Sequence, residues 1–120
     1  MLVFMKLAII GSRNFADFKT LSSAAHDMAP SEIVSGGAKG TDTLAERYAK
    51  ENSLPVKVFL PKFKTDKTIP YHPRWFLERN KEIVEYSDNI LAFWDGKSKG
   101  TLFTIEHAKK IGKPVTIIRF

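Results

Sequence analysis

The chain has 120 residues, 43% of them hydrophobic and 27% charged, the make-up of one globular domain (residues 1–120) with a single buried core. No apolar run approaches the roughly 20 residues that a membrane helix needs, and the absence of cysteine excludes disulfides and thiolate chemistry. The net charge of +6 is concentrated: residues 57–81 carry seven basic against two acidic side chains, which suits a phosphorylated metabolite, a nucleic-acid backbone or simply a solvated loop.

The opening MLVFMKLAIIG is interrupted by Lys6 and followed by no small-residue cleavage site, so it reads as a buried strand over 5–10, and a cytoplasmic location is expected. Phe18, Leu21, Ala25 and Met28 then recur at helical spacing and predict a helix over 17–29. A short strand at 32–35 leads into the turn SGGAKGTD and a second helix over 41–52, striped by Leu44, Ala45, Tyr48 and Ala49. The run 55–60 is the third strand. Residues 61–73, with three prolines and alternating lysines, read as a long loop of the kind that is usually functional or mobile. A less regular stripe (Phe76, Ile83, Val84, Tyr86) predicts a helix over 76–86, and NILAFW at 89–94 a fourth strand. The last helix, 101–111, is closed by Gly112 and Pro114 before a fifth strand at 114–119. The first, third and fifth strands are nearly continuous apolar runs, as expected of strands covered on both faces.

Strand alternating with helix five times predicts a Rossmann-like three-layer α/β/α fold with a five-stranded parallel sheet. Right-handed crossovers favour the order 3-2-1-4-5. Ligands in such sheets bind at the carboxyl ends of the strands, where the order reverses between strands 1 and 4. GSRNF (11–15), SGGAKGTD (35–42) and WDGKSKGT (94–101) all fall on that edge, so every glycine except Gly112 converges there.

The candidate ligand-binding residues follow from this convergence. Glycine lets backbone amides approach an anion, and a following helix start adds unpaired N–H groups and partial positive charge. That assigns Gly11, Ser12, Ser35, Gly36, Gly37, Gly40, Gly96, Ser98, Gly100 and Thr101 to a phosphate cradle. Arg13 can clamp a phosphate or pair with a carboxylate, and Lys39 can add a point charge or face water. Asp42 suits a ribose hydroxyl or the helix dipole. Thr43 with Glu46 fits a capping box. Arg79 and Asn80 follow the basic loop, and Asp95 closes strand 4 beside Trp94, a tryptophan more often found in a core. His26, His72 and His107 are scattered without metal spacing; no metal or other cofactor is expected. GGAKGT lacks both the Walker A spacing and the G-x-G-x-x-G order, which disfavours P-loop and standard dinucleotide binding.

GSRNF, IVSGGAKGTDTLAERYA, Arg79-Asn80 and AFWDGKSKGTLFTIEHAKKIGKPV, in that order, resemble the YspA-like branch of the SLOG superfamily. The resemblance covers nearly the entire chain and implies binding of a nucleotide or nucleotide-derived ligand, in a sensor-type module that often pairs into homo-oligomers. The chain is also similar to the LONELY GUY and lysine decarboxylase-like group, which hydrolyse the N-glycosidic bond of nucleoside monophosphates. Aligning Gly100-Thr101 with their last loop puts Thr104 where a catalytic glutamate stands, and Glu106 lies about 200° round the helix. A hydrolase here would have to use Asp42, Asp95 or Glu106. The third resemblance is to the DprA/Smf Rossmann core: Val34 to Asp42 match its glycine loop, and Phe76 to Asn80 match its F-P-x-R-N except at Leu77. That implies single-stranded DNA as the alternative partner.

Overall fold

The computed structural model describes residues 4–120; the first three residues of the opening apolar run lie outside the described residues. Five parallel strands, β1 (Lys6–Gly11), β2 (Glu32–Ser35), β3 (Val56–Val58), β4 (Asn89–Trp94) and β5 (Val115–Arg119), lie in the order β3-β2-β1-β4-β5. They alternate with α1 (Phe18–Asp27), α2 (Thr41–Glu51), the single turn α3 (Lys62–Thr65), α4 (Arg74–Tyr86) and α5 (Lys99–Lys110). This is the expected α/β Rossmann-like architecture.

Side chains alternate across each strand, so the sheet divides its apolar residues between two cores. Leu7, Ile9, Ile33, Leu91 and Phe93 face α1 and α2, meeting Leu21, Ala25, Ala45 and Tyr48. Ala8, Ile10, Val34, Ile90 and Ala92 face α4 and α5, meeting Ile83, Val84, Ile105 and Ala108. β1 and β4 sit in the middle, covered on both sides, and their registers run from Leu7 opposite Asn89 to Gly11 opposite Phe93.

The expectation that strands three and five are covered on both faces is corrected. They are the sheet's edges; Val56 and Ile117 are 42% and 37% exposed. Helices span the central strands first, so an apolar edge strand is left partly in solvent. The third strand is also shorter than its run, because pairing stops at Val58 and Pro61 starts a new direction.

The segment 61–73 is more ordered than a loop. Pro61 opens the one-turn α3, with Lys64 N–H donating to the Pro61 carbonyl at 2.9 Å. The Asp66 carboxylate accepts from the amide and hydroxyl of Thr68 at 2.9 and 2.7 Å. Trp75 Nε1–H then reaches back to the Pro70 carbonyl at 3.2 Å, fastening the segment to the start of α4.

Among the described residues no helix is long and apolar enough to cross a membrane.

Candidate functional site

Above the carboxyl ends of β1 and β4 lies a cavity of about 440 Å³, within the usual range for small-molecule sites. The strand-order reversal opens it: α2 leaves on one face of the sheet, and α4 and α5 lie on the other.

β1 delivers Gly11, Ser12, Arg13 and Asn14 to the wall. Ser12 is fixed, its amide donating to Phe93 O at 2.9 Å and its hydroxyl accepting from Asp95 N–H at 3.3 Å. Arg13 and Asn14 are exposed. The guanidinium of Arg13 forms no ion pair among the described residues, so the pairing with a carboxylate is not realised.

The glycine turn after β2 contributes differently. Of its residues, Ala38 and Asp42 line the cavity, while Ser35, Gly36, Gly37, Lys39 and Gly40 do not. Ser35 is buried and accepts from Gly37 N–H at 3.2 Å. A Cβ on Gly36 would sit 3.0 Å from both Arg79 Cζ and Asp42 Oδ2, so the missing side chain makes room for these two charged groups. Gly40 has φ of 72° and packs on the Arg13 backbone, locking the turns after β1 and β2 together. Thr41 reinforces that contact by donating to Ser12 O at 2.8 Å. Lys39 is exposed and makes no ion pair among the described residues.

The capping box expected from Thr43 and Glu46 is not formed. Thr43 donates to Ala38 O at 3.1 Å and Glu46 accepts from Ser35 Oγ at 3.3 Å, leaving α2 without a side-chain cap. These hydroxyls tie the turn together instead of closing the helix.

Arg79, on α4, is the deepest charge. Only 7% exposed, it donates through Nη1 to Gly36 O and to Phe59 O (3.4 Å), and through Nε to Asn80 Oδ1 at 2.8 Å. Burial lowers its pKa, Asp42 counteracts this, and the positive charge of Arg13 adds to the lowering. Burial pushes the Asp42 carboxyl above the ordinary carboxylate value, against the pull of the Ala38 N–H (3.1 Å) and Arg79. The cavity thus holds two guanidinium groups, and of its two carboxylates Asp42 is discouraged from ionising by burial.

The turn after β4 supplies Asp95, Ser98, Gly100 and Thr101. Asp95 Oδ1 accepts from the amides of Lys97 and Ser98 at 2.9 and 2.8 Å, and these bonds hold its pKa low. Ser98 caps α5 by accepting from Thr101 N–H at 3.4 Å. Part of this cradle is therefore occupied by the protein's own oxygens. Thr104 lines the cavity and donates its hydroxyl to Gly100 O at 2.9 Å. Gly96 stands off the cavity against Arg119, which also covers Trp94, 4.9 Å from the ring centroid. Trp94 is half-buried and donates to Ser98 O, holding this turn rather than lining the site. His72 likewise lies outside, accepting from Arg74 N–H at 3.0 Å.

Sequence reasoning did not single out Asn14, Ala38, Phe76 and Thr104 as lining residues. The signal existed for two of them: Phe76 is three residues before Arg79 and Thr104 three after Thr101, so each shares a helix face with an assigned residue.

No curated protein matches the chain. Among solved structures, DNA processing protein A (DprA) from Streptococcus pneumoniae matches with a TM-score of 0.80 and 22% identity over 95% of this chain. DNA processing protein A from Helicobacter pylori, whose structure describes a single-stranded DNA binding mode, matches with 0.77 and 25% over 94%. The chain spans 50% and 64% of the lengths of those two proteins. A family model, YspA, cpYpsA-related SLOG family, matches residues 5–65, more than half of the 120. The chain therefore belongs to that SLOG family.

Proposed function

We propose that this domain binds a nucleotide or nucleotide-derived ligand in the cavity above β1 and β4. The observation that carries the reading is that two guanidinium groups line one cavity, Arg13 exposed and without an ion pair among the described residues, Arg79 buried. Two cations lining one cavity make it a favourable place for an anion. Arg13, with the start of α5, takes the phosphate; Asp42 and the hydroxyls of Ser12 and Thr101 take the ribose; Phe76 offers a face to the base. In this reading Gly36, Gly37 and Gly40 shape the turn that holds Arg79 and Asp42, and Lys39 supplies long-range attraction only.

The test is thermal. A panel of nucleoside mono-, di- and cyclic phosphates is expected to raise the melting temperature by mass action. Arg13→Ala should melt no lower than wild type without ligand, since its guanidinium makes no ion pair among the described residues, yet lose most of the shift. No shift with any nucleotide overturns the reading. Equal shifts in wild type and Arg13→Ala would place the ligand elsewhere.

A single-stranded nucleic acid is the second reading, favoured by the cationic segment 57–81, whose Phe76, Arg79 and Asn80 line the cavity.

A further inference from the structure

We infer that the ligand extends beyond one nucleotide: the structure assigns a stacking platform on α3 and the start of α4 to the bases of a short single-stranded oligonucleotide whose end occupies the cavity. This rests on the reading of the cavity as a nucleotide site and specifies its ligand class.

The platform begins inside the cavity with Phe76. Phe63 meets it edge-on at 5.5 Å between centroids, and Tyr71 meets both, at 5.1 Å from Phe63 and 6.2 Å from Phe76. The three rings lead from the cavity wall to the surface, where Tyr71 is 65% exposed. A tyrosine that gives up rotamer freedom to pack on two rings, yet leaves most of its own surface in water, is placed to receive another planar group. Beside it, Trp75 carries Lys62 at 5.3 Å and Arg74 at 4.4 Å from its ring centroid.

Four cations surround the rings. Lys62, Lys64, Lys67 and Arg74 are exposed, and none makes an ion pair among the described residues. Asp66, the one carboxylate within 61–73, is turned onto Thr68. The segment is also held in place, by the Trp75 bond to Pro70 and by the α3 turn, so ordering it on binding costs little. An exposed Tyr71 beside half-buried rings, flanked by cations that make no ion pair among the described residues, offers an unpaired strand what it requires: a face for a base and charges for the phosphates. A free mononucleotide in the cavity leaves Tyr71, Lys64 and Lys67 unused, and a duplex hides the base faces that the rings would meet.

The experiment is competition of labelled oligothymidylate dT8 from the full chain by unlabelled dTMP, dT2, dT4, dT8 and an eight-base-pair duplex, followed by fluorescence anisotropy. Affinity should rise tenfold or more between dTMP and dT4, with the duplex weaker than dT8. Tyr71→Ala should weaken dT8 roughly tenfold, about the worth of one stacked base, leave the dTMP melting shift unchanged, and be rescued by Tyr71→Phe. Lys64→Gln with Lys67→Gln should flatten the dependence of dT8 affinity on salt. Equal affinity for dTMP and dT8, an undiminished dT8 affinity in Tyr71→Ala, or a duplex that binds as tightly as dT8 overturns the inference. If dTMP binds and length adds nothing, the cavity reading stands and this one alone falls; if neither dTMP nor dT8 binds, both fall.

Discussion

Arg79 and Asp42 show how two residues can be obvious as types and opaque in role. Asp42 follows the glycine turn and Arg79 precedes an amphipathic stretch, so from the sequence both read as ligand-binding residues. Their burial adds a structural duty that no spacing encodes. Arg79 satisfies the carbonyls of Gly36 and Phe59, joining the turn after β2 to the end of β3. Arg79→Ala is therefore expected to lose about 1–3 kcal/mol in urea unfolding, by leaving buried carbonyls unpaired, besides weakening any nucleotide. A variant as stable as wild type would refute the strut. Asp42 carries the opposite sign. Burial raises its folded-state pKa, so its protonated form suits the fold best. That contribution is complete below the unfolded value of roughly 4 and is lost as pH rises through the folded value. Asp42→Asn should accordingly raise the urea midpoint at pH 7, with the gain shrinking to nothing toward pH 3. A gain that persists at pH 3, or a loss at pH 7, contradicts this.

At the level of elements, periodicity located all five strands and four of the five helices. The fifth, α3, is one turn long, too short for any apolar stripe, and only Pro61 marks its start. The run 55–60 promised a covered strand and became a short edge strand, because coverage depends on neighbours and the edge has one. The turns after β1 and β2 are a joint element. Gly40 lets the second turn press on the Arg13 backbone at φ of 72°, where a side chain would collide with the Arg13 carbonyl. Gly40→Ala should cost at least about 1–3 kcal/mol and abolish the nucleotide-induced melting shift even if the domain still folds. A variant that keeps both stability and shift would mean that the two turns move independently.

Across the whole molecule, the sheet both builds the core and aims the site. Phe93 shows the coupling: it is fully buried, stacks on Phe15 at 4.4 Å, and its carbonyl receives the Ser12 amide at the cavity wall. Phe93→Ala is expected to remove about 3–5 kcal/mol, a large share of a total near 5–15, as judged by the denaturation midpoint. A loss below 1 kcal/mol would show that the two cores re-pack freely. The strand–helix alternation, the order of the sheet and the edge on which the glycine turns meet were all legible in the amino-acid pattern. These follow from local periods of two and 3.6 residues and from the single hand of βαβ crossovers. Which residues of those turns face the cavity, the burial of Arg79 against Gly36, and the joining of Phe63, Tyr71 and Phe76 into one surface come from packing in three dimensions. The reason is that such contacts link positions far apart in the chain, such as Arg79 and Gly36, whose meeting depends on how α4 lies across the sheet rather than on any pattern within either segment.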